Sequence, residues 1–459
     1  METYLPPLAT RLDDDLDRLD AAMTGRLVRP GSTDWHRARQ TWNLSADLRP
    51  VAVAEVASVY DVVEVVGTAR LAGLRVAPMS TGHNAGPLPD LDGVILLKLG
   101  ALRDVTIDAT AETARVGGGA LWSDVVDVAA RHGLATLAGM SRDVGVVGYL
   151  LGGGMSWFVR THGPASDYVT AIEVVTADGQ LRRVDASTES DLFWALCGGG
   201  GSFGVVTAIE FKLLPISSVQ GGKLVWPGNV AWQVLHEWRM WIATAPEEIT
   251  STCRLLNFPP LPTLPGAVRG KAFVEIEIVS QLNAEGTDEV LSQLRALTPS
   301  MDTVTEMPVS RLWQIHGAPD SRVSCMGASM LLNDLPAEAI DAMLASSGLP
   351  LVSLELRHLG GAFTSRRGGA VAFADAEIAA IATVVVPMPR DRELCTGQVR
   401  AALAGLGEWA TGQAYLNLAE SPAPIEDFFG KDVLDRLRAV RATYDPDNLI
   451  LANHNVDPA

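Results

Sequence analysis

Along the chain, short apolar runs alternate with stretches in which apolar residues recur every three or four positions. From Arg49 onward this alternation predicts strands at Val51–Val53, Leu74–Ala77 and Val205–Leu213, and helices at Asp61–Ala72 and Leu121–His132. Gly93–Leu99 (GVILLKL) is apolar without interruption, as a strand buried on both faces would be. Tyr168–Val184 reads as a hairpin turning at Asp178-Gly179. Between 218 and 410 the pattern predicts strands at Lys223–Trp226, Thr252–Phe258, Lys271–Val279, Val352–His358 and Ile381–Val386. It predicts helices at Trp232–Thr244, Thr287–Leu297, Pro336–Ala345 and Glu393–Leu406. That set describes an α+β unit with one sheet, covered by helices on one face. The tail carries a predicted strand at Gln413–Leu418, a helix at Val433–Tyr444 and a polar closing run to Asn455.

A chain of 459 residues, 47% hydrophobic, exceeds one core and has material for two or three. The pattern divides it into an acidic lead-in at 1–45, a first domain at 46–217, a second at 218–410 and a tail at 411–459. The net charge of −18 opposes binding to nucleic acid or anionic membrane. No stretch reaches the roughly 18 apolar residues of a membrane span, and Met1–Met23 is acidic rather than signal-like. Cys197, Cys253, Cys325 and Cys395 are widely spaced with no CxxC pair, as expected of reduced thiols in the cytoplasm.

The 43 glycines cluster. GMSRDVGVVGYLLGGG (139–154) interleaves glycine with valine and leucine, which a solvated linker would not do. Such a stretch lets backbone N–H groups converge on an anion. Gly198–Gly201, Ser202, Phe203 and Gly204 run directly into the strand VVTAIEF. A nicotinamide-dinucleotide fingerprint would place its glycines before a helix, so that fold is disfavoured. His83 follows a strand and the small-residue turn Ser80-Thr81-Gly82. No HxH or HExxH pair exists, so no metal site is expected.

In this order, the clusters resemble the PCMH-type FAD-binding domain of the vanillyl-alcohol oxidase superfamily, within it the berberine-bridge-enzyme-like and 6-hydroxy-D-nicotine-oxidase-like group. The family's R-S-G-G-H, glycine loop, W-A-x-R-G-G-G-x-N-F-G-V-V-T, Y-D-P-x-N and N-x-N-I read here as MSTGH (79–83), GMSRDVGVVGYLLGGG (139–154), WALCGGGGSFGVVT (194–207), YDPDN (444–448) and NHNV (453–456). The match covers roughly 40–215 and 411–459. It implies an α+β fold: a two-subdomain FAD-binding domain, and a substrate domain whose sheet roofs the flavin.

By this resemblance His83 bonds the flavin 8α-methyl carbon, which needs a neutral imidazole held by a tight turn. Met79, Ser80, Thr81, Gly82 and Asn84, with Gly139, Met140, Ser141, Val144 and Gly145, would cradle the pyrophosphate. Gly148, Leu151, Gly152, Gly153 and Gly154 would lie along the ribityl and ring system. Val205 would hold the adenine end, and Asn453 and Asn455 would return from the tail. Many relatives add a second link through cysteine. That position here is Ser141, a poor nucleophile, so FAD bonded only through His83 is expected. Met79, Cys197 and Ser202 replace the family's usual Arg, Arg and Asn, and Val144 matches the valine of relatives that use oxygen. On the substrate side the resemblance brings up Tyr415, from AYLN, together with Arg357 and Glu355 from VSLELRHLGGAF, where alternation puts Glu355, Arg357 and Leu359 on one face.

The implied activity is oxidation of a C–H bond beside O or N in a small natural product, alkaloid, alcohol or sugar, of the kind found in secondary metabolism. Hydride passes to the flavin, and O2 is reduced to hydrogen peroxide. A flavin dehydrogenase, an oxidative cyclase and a flavin-binding protein without turnover are the rival readings. A homodimer is compatible with the sequence.

Overall fold

The structure, a computed structural model, describes residues 8–459 apart from 263, 320, 347, 349, 366–367 and 372–374. Three sheets organise the described residues. The first sheet runs Arg26–Val28, Ala52–Glu55, Val94–Lys98, Arg75–Met79. Its last three strands are parallel, and its two faces are packed by separate apolar clusters. Burial on both faces is why GVILLKL is apolar throughout. The helix Val59–Ala72 is started by a capping box at Ser58 and Asp61 and ended by Gly73 in the left-handed region.

The second sheet is antiparallel, in the order Val105–Asp108, Thr113–Gly117, Val205–Lys212, Val169–Val175, Leu181–Asp185. It contains the expected Asp178-Gly179 hairpin, with Gly179 at φ 81°. The third sheet, eight-stranded among the described residues, runs Met301–Asp302, Ser218–Pro227, Ala272–Ser280, Ile249–Asn257, Ser353–His358, Ile378–Val385, Cys325–Leu332, with Thr305–Pro308 pairing alongside Ser218–Pro227. Its inner positions Ile276, Ile278, Leu354, Leu356 and Ala380 share a core with Leu235, Trp238, Trp241, Leu291, Ile340 and Val399 of the covering helices. The intervening positions Arg254, Glu275, Glu277, Glu355 and Arg357 face the other way and pair with one another. One face is therefore apolar and helix-covered, and the opposite face is charged.

Two expectations change. Gln413–Leu418 is not a strand. Tyr415 is extended, but Leu416–Leu418 forms a 3₁₀ turn. It meets the edge strand Cys325–Leu332 through the Ser329 hydroxyl, which donates to Leu418 O at 3.0 Å, rather than through a backbone ladder, and Asn417 bonds the glycine loop. Cys325–Leu332 (CMGASMLL) is a strand that the pattern does not predict, since it lacks the β-branched residues that usually mark one. No helix among the described residues is long and apolar enough to cross a membrane.

Candidate active site

The strand Arg75–Met79 ends in the turn that carries His83. Gly82 adopts φ 79°, and a Cβ there would lie 2.8 Å from Thr41 Cβ, so only glycine fits. Trp42 N–H donates to Thr81 O at 2.8 Å, tying the lead-in to the turn. The Trp42 indole then stacks on the His83 ring, with centroids 3.8 Å apart and planes 18° apart. The buried Nε2 of His83 lies 3.2 Å from Asp143 Oδ1, in contact but not aligned as a hydrogen bond, and the His83 side chain is 21% exposed. Asp143 accepts from Ser141 Oγ at 2.7 Å and from the Trp42 indole N–H. Burial pushes the Asp143 carboxyl upward, but His83, Ser141 and Trp42 outweigh it and hold it at about 2.

The glycine loop lies beside this turn. A Cβ on Gly145 would fall 2.8 Å from Ser80 Oγ, whereas Gly148 is exposed and a Cβ there would meet nothing within 4 Å. The second glycine cluster joins it through Gly200 N–H to Leu151 O at 2.9 Å. The tail closes the cradle. Asn417 accepts from Gly154 N–H at 2.9 Å and donates to Tyr149 O at 3.1 Å. Asn84 Nδ2 donates to Leu416 O at 3.0 Å, and Asn453 Nδ2 to Asn84 O at 3.2 Å. Asn455 is turned away from Asn84: its amide donates to Asn448 and Asp457, so it braces the YDPDN loop. Ser202, where the family has Asn, accepts Val456 N–H at 3.0 Å. Val205 is buried in the core that also holds Val175 and Val76. Met79 and Met140 are buried apolar positions. Cys197 is buried, and burial raises its thiol to about 12, which makes it a poor nucleophile.

The residues fit an FAD. Ser80 Oγ, Asn84 Oδ1 and Ser421 Oγ are buried around this cradle with no partner in the protein, the expected sign of a polar ligand site. Residues 79–84, the glycines of 139–154, and Asn417 and Asn453 would hold it.

Over the glycine loop lies the charged face of the third sheet. Tyr415 is buried among Leu359, Phe363, Ala379 and Met155, and a Cβ on Gly153 would lie 3.0 Å from its hydroxyl. Burial raises the phenol well above its usual range, while the positive charge of Arg357 pulls it back. Arg357 pairs with Glu355, which also lies 3.6 Å from Arg254. Burial pushes Glu355 upward, but Arg357, His316 and Arg254 bring it below the usual carboxylate value. Arg254 further bonds Glu275 at 3.0 Å and Glu277 at 2.7 Å, and His316 Nδ1 lies 2.9 Å from Glu277. Arg160 fastens the glycine-loop side to the roof through Leu359 O at 2.9 Å, Pro246 O at 2.8 Å and Ile249 O at 2.6 Å.

Trp42, Arg160 and Arg254 join the site without having been expected there, while Asp143 and Asn417 fall inside the expected segments 139–145 and AYLN (414–417) with no side-chain role assigned to them. Asp143 carries a signal in the sequence, as the one acid inside the glycine loop. The others become visible only through their distant partners.

Glu420, just beyond Asn417, has a buried Oε2 with no partner. Burial raises its carboxyl to about 6, against an unfolded value of about 4.3. The folded chain thus holds this proton more tightly than the unfolded chain. Stability is greatest below about pH 4.3 for this group and falls as pH rises through about 6. Glu420→Gln should raise the Tm by a few degrees near pH 8 and leave it nearly unchanged near pH 4, which differential scanning calorimetry can check.

Comparison with known proteins agrees with this geometry. A family model for an FAD binding domain matches residues 50–185, and one described as berberine and berberine like matches 414–457. The (R)-6-hydroxynicotine oxidase of Paenarthrobacter nicotinovorans is 32% identical over 211 residues, 46% of each chain. A Fusarium proliferatum FAD-dependent monooxygenase is 37% identical over 45% of this chain and 39% of its own. The chain therefore spans less than half the length of these two relatives. An uncharacterized FAD-linked oxidoreductase of Bacillus subtilis is 25% identical across 95% of this chain and 97% of its own. Among solved structures, 6-hydroxy-D-nicotine oxidase from Arthrobacter nicotinovorans superposes with a TM-score of 0.84 at 23% identity over 100% of both chains. The wild-type BBE-like 1 protein of Physcomitrella patens gives 0.84 at 20% identity, over 97% of this chain and 99% of its own. The fold is the one shared by the 6-hydroxy-D-nicotine oxidase and BBE-like structures. The chain carries an FAD binding domain at residues 50–185 and a berberine-like segment at 414–457, and over these parts it is similar to FAD-linked oxidoreductases.

Proposed function

We propose that this enzyme is an oxidase that carries FAD bonded through His83 alone and oxidises a C–H bond beside O or N in a small alcohol, sugar, alkaloid or related natural product. FAD held there would supply a two-electron acceptor for the substrate's hydride, with O2 as the final acceptor and hydrogen peroxide as its product. The chain's own residues do the rest. Residues 46–217 and the tail hold and orient the cofactor, and 218–410 roofs it. Tyr415, assisted by the positive charge of Arg357, accepts or orients the proton on the substrate's oxygen or nitrogen, and Glu355 fixes Arg357. Leu359 and Phe363 line the apolar seam beside Tyr415 and limit water there. The enzyme acts in the cytoplasm, and a homodimer is compatible with this assignment.

The single observation behind this reading is the buried Tyr415 against Gly153, with Arg357 and Glu355 on the adjoining sheet face. A protein that only presents flavin has no need of such a polar set in an apolar seam. The test is to reduce the purified protein, mix it with air-saturated buffer and follow flavin absorbance together with peroxide. An oxidase reoxidises promptly, with one peroxide per flavin. Reduced flavin that persists in air, but is oxidised by an artificial acceptor, would instead establish a dehydrogenase. A panel of alcohols, sugars, alkaloids and polyketides then identifies the substrate.

A further inference from the structure

The contacts around His83 are more elaborate than a tether requires. The ring is held on three sides: Trp42 stacks on its face, the turn at Gly82 fixes its backbone, and Nε2 faces the Asp143 carboxylate. Asp143 is itself held, because Ser141 Oγ and the Trp42 indole N–H both donate to it. Trp42 thus contacts both members of the pair. The arrangement has the logic of a nucleophile–orienter pair, in which a fixed carboxylate selects the tautomer of an imidazole and stabilises the charge it acquires.

Resting on the assignment of His83 as the flavin-bearing residue, we propose that Asp143 is the positioning residue for covalent attachment. It keeps the proton on Nε2 and leaves the Nδ1 lone pair free to act as nucleophile. In the attachment step an N–C bond forms between Nδ1 and the flavin 8α-methyl carbon, and a methyl C–H bond breaks. That hydrogen leaves as a proton, and the electron pair of the broken bond passes into the flavin ring system, which becomes two-electron reduced. The imidazole turns cationic as the bond forms and is stabilised by Asp143, then releases its Nε2 proton. Two protons and two electrons thus reside on the reduced flavin. Dioxygen removes them as hydrogen peroxide and restores the oxidised, bonded cofactor. Ser141 gains a role in the same account: where relatives carry a second attachment thiol, this chain has a hydroxyl that orients the carboxylate.

Asp143→Asn is the informative variant. It preserves size, but its amide N–H can donate to Nε2 and move the ring proton to Nδ1, which blunts the nucleophile. The full-length chain is expressed under riboflavin limitation, incubated with FAD in air, and precipitated with acid at intervals. Flavin fluorescence is then read in both pellet and supernatant. The wild type should bind FAD covalently at His83, while Asp143→Asn binds the same total FAD but attaches it at least about tenfold more slowly. Asp143→Glu should recover part of the rate. Equal attachment rates in wild type and Asp143→Asn would overturn the role of Asp143 and leave His83 standing. Failure of Asp143→Asn to bind dissociable FAD would also overturn it, since the carboxylate would then be part of the cradle. A wild-type pellet without flavin, or with flavin on another peptide, would overturn the His83 assignment itself.

Discussion

Replacing Tyr415 by Phe should slow reduction of the bound flavin by about 10²–10⁴-fold and leave flavin content unchanged. Tyr415 is buried against Gly153, its ring packed edge-on to Phe363 with centroids 5.9 Å apart. Burial makes the phenol a weaker acid than usual, so at neutral pH it is protonated and orients the substrate through its hydroxyl. To accept a proton it must first become anionic, and Arg357 is the charge that lowers the cost of doing so. Two consequences follow for rates measured by anaerobic stopped flow. Flavin reduction should climb with pH without levelling below about pH 10, the ordinary range of a phenol. Arg357→Met should depress the rate further at neutral pH than at high pH, because it removes that stabilisation. The absorption spectrum should not change in either variant, since neither residue belongs to the cradle. An unchanged reduction rate in Tyr415→Phe would make Tyr415 a packing residue of the seam and move the base to Glu355.

His83→Ala should abolish acid-stable flavin. The cradle made by residues 79–84 and the two glycine clusters remains, so FAD should still bind, but dissociably, and gel filtration should deplete it. The flavin potential should fall, since an 8α-imidazole substituent withdraws electron density, and substrate reduction should slow. Removal of the ring also frees the Trp42 face and leaves Asp143 with Ser141 and the Trp42 indole as partners. The carboxylate stays hydrogen-bonded, so the loss should fall on attachment and potential more than on folding. Spectral titration with a redox dye measures the potential.

Much of the cradle is legible in the sequence because its demands are local. Gly82 is required by a positive φ and by Thr41, and a turn with those needs leaves a mark in a few consecutive residues. The same is true of the Asp178-Gly179 hairpin. The alternation of Glu355 and Arg357 with Leu354 and Leu356 announces one charged and one apolar face, and the sheet has both. What is not legible depends on partners far away in the chain. Trp42 reads as an apolar residue of the lead-in until its ring is found on His83, and Asn417 reads as a strand residue until its amide bridges Gly154 and Tyr149. Arg160 lies in a short helix and makes its bonds to carbonyls at 246, 249 and 359. The segment 413–418 misleads for the same reason: AYLN has strand-like residues, but its polar groups bond the glycine loop and the Ser329 side chain instead of a strand backbone.

The central claim is one FAD bonded to this chain at His83. It is tested most directly by the intact mass of the acid-denatured wild-type protein, followed by mapping of its flavin peptide. The expected result is a chain heavier by a single FAD, with the flavin confined to the peptide that contains His83 and absent from the Ser141 peptide and all four cysteine peptides. An unmodified chain mass with all the flavin in the supernatant, or flavin on any other peptide, would contradict it.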